Sequence, residues 1–208
     1  MMHHKFLQII SAFVFLIFSQ TAAYAAEAFT FDHSHSYVLF KIKHFGFSDQ
    51  VGKWYIYGQV TLDKDKPENS KVVATIKLND LVTGLPELDK HLKEKNFFNV
   101  PQFPTATFVS DKVDVINDKS AKVRGMLTMR GVSKPVVLDV TLNKVGLNPV
   151  TEQNTVGFNA KTMLKRSDFG MTSFLPGLSD EVEINISVEA NQPKANQTKE
   201  KVGTDHVS

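Results

Sequence analysis

The 208-residue chain has no cysteine, so disulfides, thiol redox chemistry and thiolate metal sites are all excluded. The folded part must rely on its own core, and the length is enough for one domain with a sizeable core. A dominant charge is also missing. Against 24 Lys and Arg stand 22 Asp and Glu, a formal net charge of +2 that argues against nucleic acid as a main partner. The chain lacks a G-x-S-x-G elbow, an H-E-x-x-H pair and a glycine-rich phosphate loop. Ser34 and Ser36 are near histidines only in sequence, which does not make a triad. Catalysis is not expected.

Long apolar runs are scarce as well. Phe6–Phe18 is almost wholly apolar but too short to span a bilayer comfortably. Lys5 precedes it, polar Ser19-Gln20-Thr21 follows it, and Ala23-Tyr24-Ala25 has the A-x-A form of a cleavage site. The expectation is an export signal over residues 1–25, cut after Ala25, with a retained anchor as the alternative. No stable membrane insertion is expected of the remainder. The cut removes Lys5 and no acid, leaving 23 basic residues against 22 acidic ones. With no cysteine after the cut, no lipid-modified N-terminus is expected. At the other end, 191–208 mixes Lys, Asn, Gln and Glu with few apolar residues and reads as a disordered tail. The domain is therefore placed at residues 26–190.

What is present in quantity is alternation. Phe29–Asp32 reads as a short first strand. Val38, Phe40, Ile42 and His44 then share one face of the next strand, with Leu39, Lys41 and Lys43 on the other. Val51–Leu62 has aromatic residues on both faces, with Gly52 and Gly58 as expected bends or bulges. Further strands are predicted over 71–79, 105–116, 121–130, 134–144, 155–165 and 181–189, mostly joined by hairpin-length turns. The fold class is all-β, a closed antiparallel barrel or sandwich of about eight strands.

One stretch interrupts this pattern. In Thr83–Phe108, Leu85, Leu88 and Leu92 recur at helical spacing, with Asp89, Lys90, Lys93 and Glu94 opposite. Thr83 is a candidate helix start signal and Pro86 an early-helix residue. Phe97, Phe98 and Phe103 follow where the chain rejoins the sheet. A short helix across one opening of a β structure is expected.

Several motifs carry a resemblance. Residues 32–46, DHSHSYVLFKIKHFG, are similar to the opening signature of the YceI family of exported lipid-binding proteins. Thr83, Asp89-Lys90-His91-Leu92 and Phe97-Phe98-Asn99-Val100 resemble its helix and the segment after it. Pro104–Phe108, Gly125–Thr128 with Gly131–Val136, and Arg166–Gly170 match later motifs in order. The resemblance covers roughly 29–190. It implies a lipocalin-like barrel in the periplasm, often a dimer, whose apolar cavity holds a polyisoprenoid or similar long-chain amphiphile and needs no other cofactor. Many relatives have an arginine immediately before the Asp-x-His-Leu run, where this chain has Leu88. Any head-group contact made by that arginine is absent here.

Alternation alone does not distinguish a filled barrel from a hollow one. With the resemblance, the inward set is expected to bind ligand: Phe40, Ile42, His44, Trp54, Ile56, Phe97, Phe98, Phe108, Leu127, Met129, Phe158 and Met163. Asp89, Arg166 and Phe169 join it from the matching motifs. Arg166 and Asp168 read either as a local ion pair or as mouth residues near the ligand's polar end. His33 and His35 have the i, i+2 spacing of a chelating strand pair, but near an exposed N-terminus no metal is expected. Asp89 and His91 share the same spacing on a helix, where they do not face each other.

Overall fold

A computed structural model describes residues 26–193. The expected leader lies outside the described residues, as does the expected tail beyond residue 193. Among the described residues, nine strands form in chain order: β1 Glu27–Phe31, β2 Tyr37–His44, β3 Ser48–Leu62, β4 Lys71–Lys77, β5 Thr105–Asn117, β6 Ser120–Met129, β7 Val132–Leu147, β8 Asn154–Lys165 and β9 Leu178–Asn191. One short α-helix, α1 Pro86–Leu92, falls between β4 and β5. The sheet runs β1-β3-β2-β9-β8-β7-β6-β5-β4, and a further β3–β4 pairing closes it. β2 to β9 thus make a closed eight-stranded antiparallel barrel, with β1 as an extra strand.

The two-residue side-chain period sorts the strands into an inner and an outer face. Val136, Leu138, Val140 and Leu142 of β7 point inward, as do Val182, Ile184, Ile186 and Val188 of β9. The outer face carries cross-strand ion pairs, Lys41–Glu183 at 2.9 Å and Lys122–Asp139 at 2.7 Å. At such exposure solvent screens them and they contribute little to stability. Their placement is the reverse of a membrane barrel, whose outward band is apolar.

β1 and β2 are two segments of one stave. β1 pairs with the end of β3 (Glu27 opposite Leu62, Thr30 opposite Gln59) and meets β9 at Phe31 and Ala190. β2 occupies the same slot further along, between the first half of β3 and the body of β9. The break at 32–36 is a turn organised by Asp32. Its Oδ1 accepts the Ser34 N–H at 3.0 Å, and its Oδ2 pairs with His35 Nδ1 at 2.8 Å. Ser36, with no exposed surface, ends the turn by donating its Oγ–H to the Glu189 carbonyl and accepting the Glu189 N–H. At the far end of β1, Glu27 bonds both Lys64 and Gln192, tying the two ends of the domain together.

Two expectations change. Gly52 and Gly58 are not bulges, because the register of β3 with β2 and β4 is unbroken at both. The predicted 146–154 loop is shorter, since β7 continues to Leu147.

Candidate functional site

The barrel is hollow. Its interior is a cavity of about 1100 Å³, slightly above the usual range for small-ligand pockets. Medium-sized apolar side chains such as Val38, Ile56, Val123, Leu138 and Ile184 line its length. The large rings that could block it are folded against the wall. Phe40 lies over Gly52, its register partner on β3, and Phe108 lies over Gly125 on β6. A Cβ on Gly125 would stand 2.6 Å from Phe108 Cζ, so the absent side chain is the space the ring uses.

At one end, α1 and the segment after it lie across the opening. Leu85, Leu88, His91 and Leu92 border the cavity, as the helical spacing predicts. Thr83 is not the helix cap: Leu85 holds that position without a side-chain cap bond, and Pro86 opens the helix. Instead, Asp89 reaches back and accepts both the Thr83 N–H at 2.7 Å and its Oγ1–H at 2.6 Å. Trp54 anchors the exit from the helix. Its indole N–H donates to the Leu78 carbonyl at 3.4 Å, and its ring meets Phe98 edge-on with centroids 5.1 Å apart. Val82 adds a short bridge to Lys53 of β3. Polar His44, Gln50, Thr83 and His91 stand at this mouth, while Asp63, Lys64, Lys71 and Asn117–Ser120 border the opposite end.

Arg166 lies in the 3-10 turn Arg166–Phe169 after β8, and only 5% of its surface is exposed. Its Nε, Nη1 and Nη2 donate to the carbonyls of Ser179, Met171 and Leu178, each at 2.9 Å. Burial pushes its pKa below the usual arginine value, partly offset by the nearby Asp180 charge. The ion pair with Asp168 read from the sequence does not form. The engaged carboxylate is Asp180, which accepts the Ser167 Oγ–H at 2.7 Å and N–H at 2.8 Å and is thereby held below the usual carboxylate range. Arg130, after β6, donates to the carbonyls of Phe169 and Lys95 and so joins this turn to the segment beyond α1. The two arginines shape the mouth through backbone carbonyls.

Of the residues singled out from the sequence, Phe40, Ile42, His44, Trp54, Ile56, Phe97, Phe98, Phe108, Leu127, Met129, Phe158, Arg166 and Phe169 all border the cavity. Met163 does not. It is five positions from Phe158 on one strand, an odd step, so it faces out and is 54% exposed, while its neighbours Thr162 and Leu164 face in. Asp89 is also not among the lining residues, because the bonds to Thr83 turn it away. His33 and His35 lie in the 32–36 turn, where one stacks on Tyr57 and the other pairs with Asp32. Among the described residues, no three metal-ligating side chains cluster. Val51, Met171, Phe174 and Leu178 also border the mouth and were not singled out. Met171, Phe174 and Leu178 lie in or beside a turn, where strand parity gives no guide, and Val51 sits within β3 on the row opposite Trp54 and Ile56.

The comparisons with known proteins agree with this architecture. The model of the YceI-like domain matches residues 29–190. Protein YceI of Salmonella agona (strain SL483) is 39% identical over 184 residues, covering 88% of this chain and 95% of its own. The solved YceI protein of Campylobacter jejuni is 32% identical with a TM-score of 0.64, over 73% of this chain and 90% of that one. BcnA of Burkholderia cenocepacia superposes with a TM-score of 0.69 at 25% identity, over 77% of this chain and 99% of that one. A polyisoprenoid binding domain from Saccharophagus degradans shares the fold, with a TM-score of 0.63 at 12% identity. With a match that spans the whole barrel from β1 to β9, this chain belongs to the YceI-like domain family.

Proposed function

We propose that this chain is a non-catalytic carrier that holds a long-chain isoprenoid or similar amphiphilic lipid, such as a polyprenyl phosphate, a quinone or a fatty-acid derivative. The observation that carries the reading is the hollow barrel: an apolar cavity of about 1100 Å³ with its polar groups at the two ends. Such a space suits a ligand with a long apolar chain. Family membership supports the reading, and the Saccharophagus degradans neighbour is named for polyisoprenoid binding.

The energetics are sufficient. Each buried methylene contributes ~0.8 kcal/mol, so a chain of about sixteen carbons supplies a gross ~13 kcal/mol. Immobilising the ligand costs on the order of 4–15 kcal/mol. Binding therefore needs no strong ionic anchor, and Leu88 at the mouth is compatible with it. The chemistry of the mouth points the same way. Asp89 and Arg166 are engaged in structural bonds, which leaves neither as a free acid or base. The export leader expected over residues 1–25, with cleavage near Ala25, supports a periplasmic location for this carrier.

The test is native mass spectrometry of the protein purified from its own periplasm. A discrete added mass that is lost on organic extraction is expected. A bare chain that also takes up no added prenyl lipid would overturn the proposal.

A further inference from the structure

The helix end of the barrel presents apolar side chains to solvent. Phe47 is 91% exposed at the tip of the β2–β3 turn, and Phe45, Val51, Leu85, Phe174 and Leu175 surround the same opening. Four of them, Phe45, Val51, Leu85 and Phe174, also line the cavity. The apolar surface is therefore continuous from the outside of the molecule into the lumen. Phe45 and Phe174 hold this position with left-handed backbones, at φ 51° and 62°. Bulky residues rarely adopt that conformation, and such outliers gather at functional sites. The two turns are joined as well, because the Phe45 N–H donates to the Gly177 carbonyl at 2.8 Å.

We infer that this rim docks on the surface of a phospholipid bilayer, so that the lipid chain passes between membrane and lumen without crossing water. The inference rests on the carrier reading for its purpose, though not for its surface. Charge around the rim is mixed. Lys43 faces Asp49 across the β2–β3 hairpin, and Glu87 and Lys90 share α1. With no field of one sign, docking is driven by apolar insertion at the interface rather than by attraction to anionic lipids. A bilayer is the occupant that fits best, because it accepts apolar side chains around an opening whose contents are themselves apolar.

The test uses the full processed chain and its double variant Phe47→Ser, Leu175→Ser, neither residue lining the cavity. Cosedimentation with phosphatidylcholine vesicles is measured at low and high salt, alongside quenching of Trp54 fluorescence by added geranylgeraniol. The expected result is vesicle binding that changes little with salt and falls about tenfold in the variant, a loss of ~1.4 kcal/mol. Quenching should be unchanged. Binding only to anionic vesicles at low salt would overturn the inference, as would equal binding by the variant. It would also be overturned if sedimentation showed the rim pairing two copies of the chain, with no vesicle binding. Absence of quenching with Phe47-dependent vesicle binding intact would instead remove the carrier reading and leave the docking surface standing.

Discussion

The ring of Phe40 occupies the space that a side chain on Gly52 would fill. A Cβ built on Gly52 would stand 2.2 Å from Phe40 Cε1 and 2.4 Å from Cζ. The two residues are register partners on β2 and β3, so the glycine receives the ring directly across the ladder. The lumen stays open because an aromatic residue lies along the wall instead of across it. Gly52→Ala should push the ring into the cavity. A loss of about 1–3 kcal/mol in stability is expected, as for other overpacked cores, together with uptake of shorter prenols only. Urea midpoints and a chain-length series read by Trp54 fluorescence check both.

Asp89→Ala should leave lipid uptake intact while loosening α1. The carboxylate is the shared acceptor for the Thr83 N–H and Oγ1–H, and losing a hydrogen bond of this kind costs about 1 kcal/mol. Amide exchange should speed up over 83–92 and stay unchanged in β7 and β8.

Arg166→Lys should fold poorly. A lysine has no planar fork to serve the carbonyls of Ser179, Met171 and Leu178 together. Each buried carbonyl left without a donor costs ~1–3 kcal/mol. The expected loss appears in the thermal midpoint, and a variant as stable as the parent would refute this account of the mouth.

The Asp32–His35 pair makes stability depend on pH at the break between β1 and β2. The hydrogen bond and charge of Asp32 raise the His35 pKa above its ordinary 6.5. Burial opposes ionisation of Asp32, but the bonds from His35 and Ser34 outweigh it and lower that pKa. For His35 the contribution is complete below about pH 6.5 and is lost as the pH rises through its raised folded value. For Asp32 it is present above the ordinary carboxylate value and lost on acidification. An NMR titration should find His35 above 6.5, and Asp32→Asn should return it toward that value.

Much of the architecture was legible because a barrel strand repeats every two residues. The inward rows of β2, β4, β7 and β9 follow from Val38, Val72, Val136 and Val182 onward. Met163 shows where counting apolar residues departs from counting parity. Whether the barrel was hollow could not be read. That depends on Phe40 meeting its register partner Gly52 and on Phe108 meeting its diagonal neighbour Gly125, contacts set by strand pairing rather than by spacing along the sequence. The roles of Arg166 and Asp89 were hidden for a similar reason. Their partners are the backbone carbonyls of Met171 and of the first residues of β9 for Arg166, and the neighbouring Thr83 for Asp89, and motif spacing gave no sign of either.

The bond between Glu27 and Gln192 brings both ends of the domain to the side of the barrel opposite α1. A fluorophore, an affinity tag or a surface tether added at either end therefore emerges away from the opening. Immobilised protein would present its mouth outward, so it could be loaded, emptied and assayed repeatedly on a solid support.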